Sequence, residues 1–283
     1  MIKVESLSKS YGERLAVDDI SFEIEQGEIV GFLGPNGAGK TTTMRAITGY
    51  LIPTEGEVWV ADCNMRKDPL QARQHIGYLP ETIPLYTDMT TRAYLGFAGK
   101  LRGLDSKVAQ RRIDEVVEVC QLEEYLDVHT GKLSKGFRQR VGLAQAIIHD
   151  PEVLILDEPT VGIDPLQVVK TKEMIKELGR KRTILLSTHI LPEVSLICDR
   201  VIIINQGKIV AEDNIDNLSK ILNTRKQLRL RVNGPSDQVR ESLSKIEMLL
   251  DVSYHEPHHL LEFERDQEPQ AEVNQVLAKE GWT

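Results

Sequence analysis

The stretch IVGFLGPNGAGKTT, residues 29–42, is an apolar run of strand length, a glycine-rich loop and the start of a helix. Its loop fits G-x-x-x-x-G-K-[ST] and stands between strand and helix, the setting that a phosphate-binding loop requires. Gly34, Gly37 and Gly39 let the backbone around Pro35, Asn36 and Ala38 turn its N–H groups inward onto phosphate oxygens. A helix from Lys40 to about Thr48 adds the positive end of its dipole. Lys40 is placed to reach the outer phosphates of a nucleotide. Thr41 offers a hydroxyl to Mg²⁺, and Thr42 continues the loop into the helix.

Working outward, VLILDE (153–158) is four apolar residues ending in two carboxylates. That pattern suits a buried strand that delivers charge at its C-terminal end, where open α/β sheets bind ligands. Asp157 is expected to hold Mg²⁺ and Glu158 to orient or deprotonate an attacking water. TILLSTH (183–189) is a second buried strand, ending at His189. Helix is expected over 168–180 and, briefly, over 191–199. RVIIINQGKIVAE (200–212) reads as a hairpin turning at Gln206-Gly207. Near-continuous apolar strands separated by helices predict a parallel sheet covered on both faces, an α/β fold.

Upstream, residues 1–30 alternate in strand fashion, with Ile20, Phe22 and Ile24 on one face, and 48–64 reads as a loop and a strand pair. Together they predict an antiparallel β subdomain. Helical patterns over 88–102, 105–121 and 134–149 predict a helical subdomain inserted at about 82–150. In the second helix Val108, Ile113, Val116, Val117 and Cys120 form the apolar stripe. After a break at 213–226 come a strand at 228–232, a helix capped by Ser236, strands at 248–254 and 259–264, and a helix over 269–280. This β-α-β-β-α order predicts a small ferredoxin-like α+β domain over 215–283, lacking a fourth strand. HEPHH (255–259) clusters three histidines, but at a spacing that fits no familiar metal site.

Composition sets limits. A chain of 283 residues, 41% hydrophobic and 28% charged, has room for a sizeable core. A net charge of -8 argues against a nucleic-acid binder with a global basic field. Cys63, Cys120 and Cys198 are far apart and odd in number, which fits a reducing compartment better than a disulfide framework. No signal peptide is visible, and no run approaches the ~20 apolar residues that cross a bilayer. Work at a membrane would need a separate spanning protein.

LSKGFRQRVGLAQAIIHDPEVLILDEPTVGIDP (133–165) adds what a generic phosphate-loop protein lacks. From residue 2 to 212 the chain resembles the ATPase subunits of ABC transporters, with LSKGF where that family has LSGGQ. The resemblance implies an ATP-hydrolysing P-loop NTPase domain over 1–214 that pairs head to tail with an identical or similar subunit. In it, Ser134 and Gly136 would contact the γ-phosphate of ATP held by the partner. Tyr11 would stack on adenine, Asp164 would lie in a loop crossing the dimer interface, and His189 would reach the γ-phosphate. Lys135 and Phe137 depart from the signature: one adds a cation, the other removes a polar contact. IGYLPE (76–81) puts Glu81 where the family has a glutamine, where it would ligate Mg²⁺ and couple to a partner. That form, with PLY (84–86), resembles subfamilies serving drug, sodium, copper-maturation and gliding-motility export. A membrane-spanning permease partner and a place on the inner face of the cell membrane are implied. A non-transport ATPase of this type, a phosphate-loop kinase or GTPase, and a non-hydrolysing regulatory subunit stay open as alternatives.

Overall fold

The computed structural model describes residues 1–215, 217, 225–264 and 267–282. The chain divides into two units, Met1–Ile215 and Asp216–Thr283, and each has its own apolar core.

The first unit opens with β1 (Ile2–Tyr11) and β2 (Arg14–Ile24), an antiparallel hairpin closed at Gly12. β4 (Glu55–Val60) pairs with β1 and the short β5 (Cys63–Asn64) with β4, giving an antiparallel sheet in the order β2-β1-β4-β5. The second sheet contains β3 (Ile29–Leu33), β6 (Ile76–Leu79), β7 (Val153–Asp157), β8 (Thr183–Thr188), β9 (Arg200–Asn205) and β10 (Lys208–Asn214). Its order is β10-β9-β3-β8-β7-β6, parallel throughout except for β10. Every residue of β3, β7 and β8 is buried, as their unbroken apolar runs require. The β9–β10 hairpin turns on Gln206 and Gly207, both at positive φ, the geometry that two-residue hairpin turns favour.

The two sheets share one core. Ile2, Val4 and Phe22 from the first meet Phe32 and Ile155 from the second, with Met44 and Ile47 of α1 (Lys40–Ile47) between them. A fully buried side chain of this size contributes roughly 1.5–3 kcal/mol. This core anchors the strand before the phosphate loop and the helix after it.

The helical subdomain is built from α3 (Thr91–Leu101), α4 (Ser106–Val119) and α5 (Lys135–Ile147). In α4 the buried stripe is Ala109, Ile113, Val116 and Val117, with Cys120 just beyond; Val108 is 38% exposed, so the stripe starts one residue later than expected. A further short helix, α2 (Pro69–Gln74), stands between β5 and β6. α6 (Pro165–Gly179) starts three residues before the expected 168, because Asp164 accepts a hydrogen bond from Gln167 N at 3.0 Å and Pro165 suits the first turn. α7 covers only Leu191–Val194 of the expected 191–199.

The second unit contains β11 (Arg225–Leu230), α8 (Ser236–Leu243), β12 (Leu249–His255), β13 (His258–Glu264) and α9 (Gln270–Lys279). Its sheet is antiparallel, in the order β11-β13-β12, with Val239 and Leu243 of α8 and Val273 of α9 packed on Val252 and Leu261. Three strands are present among the described residues; most of the expected break at 213–226 and Thr283 lie outside them. Ser236 does not cap α8. It is the first helical residue, and Pro235 precedes it in an extended conformation. The described histidines near the β12–β13 turn form no metal-holding group, and His259 is buried with its ring centroid 4.7 Å from that of Tyr254.

Candidate nucleotide site

Backbone sterics shape the phosphate loop. A β-carbon on Gly34 would lie 2.3 Å from Ile204 O, and one on Gly39, at φ 112°, would lie 2.7 Å from Ala16 O. Neither position admits a side chain. Gly34 N donates to Thr188 O at 3.2 Å and Gly207 N to Ala38 O at 2.9 Å, which fixes the loop to β8 and to the β9–β10 turn. Lys40, only 6% exposed, curls over this loop and donates to Gly34 O at 2.7 Å and Pro35 O at 3.3 Å.

β7 delivers the carboxylates expected of it. Glu158 sits just past the strand at φ 48°, a conformation that costs a non-glycine residue energy and is concentrated at functional sites. Its Oε1 lies 3.1 Å from Lys40 Nζ and its Oε2 3.1 Å from His189 Nδ1. The three groups therefore form one chain, Lys40–Glu158–His189. Ser187 at the end of β8 holds the neighbourhood together: its hydroxyl donates to Asp157 Oδ1 at 2.6 Å and accepts from Glu158 N at 3.0 Å. Thr160 and Thr188 both donate to Glu193 Oε2, at 2.7 and 3.2 Å, bracing the segments on which Glu158 and His189 sit.

Asp157 is 1% exposed. Burial raises its pKa, reinforced by the charges of Glu81 and Glu158 and opposed by the hydroxyls of Ser187 and Thr41. Thr41 donates to the same Oδ1 at 3.3 Å, while Oδ2 is buried with no hydrogen-bond partner. An unpartnered buried carboxylate oxygen beside a threonine hydroxyl is the donor chemistry that a hard cation takes, so these residues fit Mg²⁺.

A raised carboxyl pKa means that the charged form costs the fold free energy. That cost is absent below the ordinary value of 3.8 and fully present above the shifted one. Asp157→Asn is therefore expected to raise the unfolding midpoint of the nucleotide-free, metal-free protein at neutral pH. Thermal unfolding in the presence of a chelator measures this, and a lower midpoint would contradict it.

The loop, the carboxylates and His189 border an open cavity of about 550 Å³. Asn36, Thr42 and Glu81 line it, and Tyr11 at the end of β1 forms its far wall, 48% exposed, with Lys9 Nζ 5.6 Å from the ring centre. Ser134 and Gly136 do not line it. Ser134 caps α5, accepting from Phe137 N at 3.4 Å, and Gly136 packs on Gln167 of α6. Phe137 is stacked on Tyr125 at 3.9 Å between ring centroids, with the Arg140 guanidinium 5.1 Å from the ring centre. Lys135 Nζ lies against the backbone of Gly162. Three contributors were not foreseen: Ser187, Glu193 and Arg14, which also lines the cavity. The polar end of TILLST pointed to Ser187; nothing local pointed to the others.

A glycine loop between β3 and α1, with its lysine bonded to the carboxylate that follows β7, defines a P-loop NTPase. Comparison with known proteins narrows this. The family model described as ABC transporter matches residues 17–161, and the chain belongs to that family. It is 38% identical over 260 residues to the bacitracin transport ATP-binding protein BcrA of Bacillus licheniformis, covering 91% of this chain and 82% of that one. It is 35% identical over 257 residues to the linearmycin resistance ATP-binding protein LnrL of Bacillus subtilis (strain 168), covering 90% and 83%. The dimeric ATP-binding cassette MJ0796, solved in a post-hydrolysis state with ADP and Pi, superposes with a TM-score of 0.70 at 25% identity, covering 76% of this chain and 99% of that one. The protein is an ATP-binding, ATP-hydrolysing subunit of an ABC transporter and powers a separate membrane-spanning export permease. No described helix is long and apolar enough to cross a membrane.

Proposed function

We propose that two copies of this chain, or this chain and a similar one, close head to tail over two ATP molecules, each split with Glu158 as general base. The observation that carries this reading is the Lys40–Glu158–His189 chain at the cavity wall. Tyr11 stacks on the adenine. The N–H groups of the phosphate loop and Lys40 hold the phosphates and stabilise the charge that spreads over them as the bond breaks. Thr41 and Asp157, with Glu81 alongside, would hold Mg²⁺, which when bound neutralises phosphate charge. Glu158 takes the proton of the attacking water, and His189, bonded to that carboxylate, orients it. Ser134 and Gly136, outside the cavity of their own chain, reach the γ-phosphate held by the partner from the N-terminus of α5.

The segment 1–214 acts as the ATP-binding domain, and 215–283 as an accessory domain. Tyr86, Phe97, Leu101 and Arg102 border a separate groove on the helical subdomain, where the permease docks on the inner face of the membrane. Tyr86 and Leu101 are 54% and 71% exposed there. The relatives named for bacitracin transport and linearmycin resistance support a drug-type cargo.

The head-to-tail pairing has a direct test. Asn36→Cys and Ser134→Cys are introduced into one chain, with Cys63 changed to serine because it is the one native thiol that is not buried. Oxidation is expected to give disulfide-linked dimers with ATP present and far fewer without it. ATP-independent linkage, or none, would contradict the arrangement.

A further inference from the structure

We infer that Arg14 is a ligand of the nucleotide's phosphates, a second cation of the cleft alongside Lys40. The inference rests on the nucleotide site proposed above and concerns a residue that lies outside every sequence motif of that site.

The β1–β2 hairpin turns in two residues, so Tyr11 and Arg14 stand directly opposite each other. Cross-strand partners share a face of the sheet. Here that face is the cavity, which both residues line. The Arg14 guanidinium lies beside the phosphate loop: a β-carbon on Gly37 would stand 3.8 Å from Arg14 Nη2.

The charges around the cavity give this position its meaning. Lys40 and His189 are both engaged with Glu158, and Glu81 adds another carboxylate to the wall. A nucleoside triphosphate is a polyanion and meets a wall whose lysine is already paired with a carboxylate. Arg14 is exposed and makes no ion pair or hydrogen bond within the described residues. An arginine held open at a cleft edge, next to a loop of inward N–H groups, presents the planar fork that phosphate oxygens accept in pairs. Its place on the Tyr11 strand pair assigns it to the phosphates nearer the base. Lys40 takes the outer one, beside the water that Glu158 activates.

Calorimetry of the full chain with ADP and with ATP tests this. Arg14→Ala is expected to weaken both by about 10- to 100-fold, the range of a lost charge-assisted hydrogen bond. The kcat at saturating ATP should stay within about threefold, so the loss appears in KM. Arg14→Lys, which keeps the charge, should bind more tightly than Arg14→Ala; equal weakness would overturn recognition by charge. Because Arg14 holds no partner among the described residues, its removal should leave the unfolding midpoint unchanged. Lys40→Ala runs in parallel. If it weakens ADP binding while Arg14→Ala does not, the role of Arg14 is overturned and the cleft stands. If neither changes affinity, the nucleotide site itself is misplaced.

Discussion

Glu158→Gln is expected to lower the ATP hydrolysis rate by roughly 10²–10⁴ while ATP still binds, the range for loss of a general base. The substitution keeps the volume and the acceptor oxygen of a side chain that is 6% exposed, so the φ 48° backbone and the bond from Glu158 N to Ser187 persist. What it removes is a carboxylate able to take a proton. It also frees Lys40 from a competing anion, since Glu158 Oε1 lies 3.1 Å from Lys40 Nζ before any phosphate arrives. Affinity should therefore hold or rise as turnover collapses. Steady-state phosphate release with parallel calorimetry separates the two effects. Near-normal turnover would remove Glu158 from the chemistry.

Lys40→Ala should act on the other quantity. Lys40 spans Gly34 O, Pro35 O and Glu158 Oε1, so it both shapes the loop and supplies its charge. Without it, ATP and ADP affinities are expected to fall by about 100-fold or more. The change also leaves Glu158 buried without its cation, and breaking a buried pair in this way costs about 3–5 kcal/mol. Circular dichroism at the assay temperature must accompany the binding measurement. A folded Lys40→Ala protein with unchanged affinity would contradict the phosphate-loop assignment.

These two residues were legible in the sequence because their neighbours along the chain carry the signal. Gly34 to Thr42 and Val153 to Glu158 are each contiguous, and each names its own strand. Positions fixed by tertiary closure were not legible. Arg14 faces the cavity because Gly12 closes the hairpin and Gly37 leaves space beside the loop, and neither fact shows locally. Phe137 removes a polar contact of the signature, and the place its ring takes is not local: it stacks on Tyr125, twelve residues away in sequence and adjacent only after folding. Errors at helix starts have simpler causes. Asp164-Pro165 is a cap and a first-turn proline, and these start the helix ahead of its apolar periodicity. Pro235 displaced Ser236 from the cap of α8, and α2, six residues long, is too short to show helical periodicity.

The permease is tested most directly by capture from native membranes. Glu158→Gln protein is locked with ATP, chemically crosslinked after mild detergent extraction, and its partners are identified by mass spectrometry. Recovery of a membrane protein with several spans, linked near Tyr86 or Leu101, is the predicted result. Recovery of soluble proteins, ribosomes or DNA-bound complexes alone would leave the ATPase intact and contradict its role in transport.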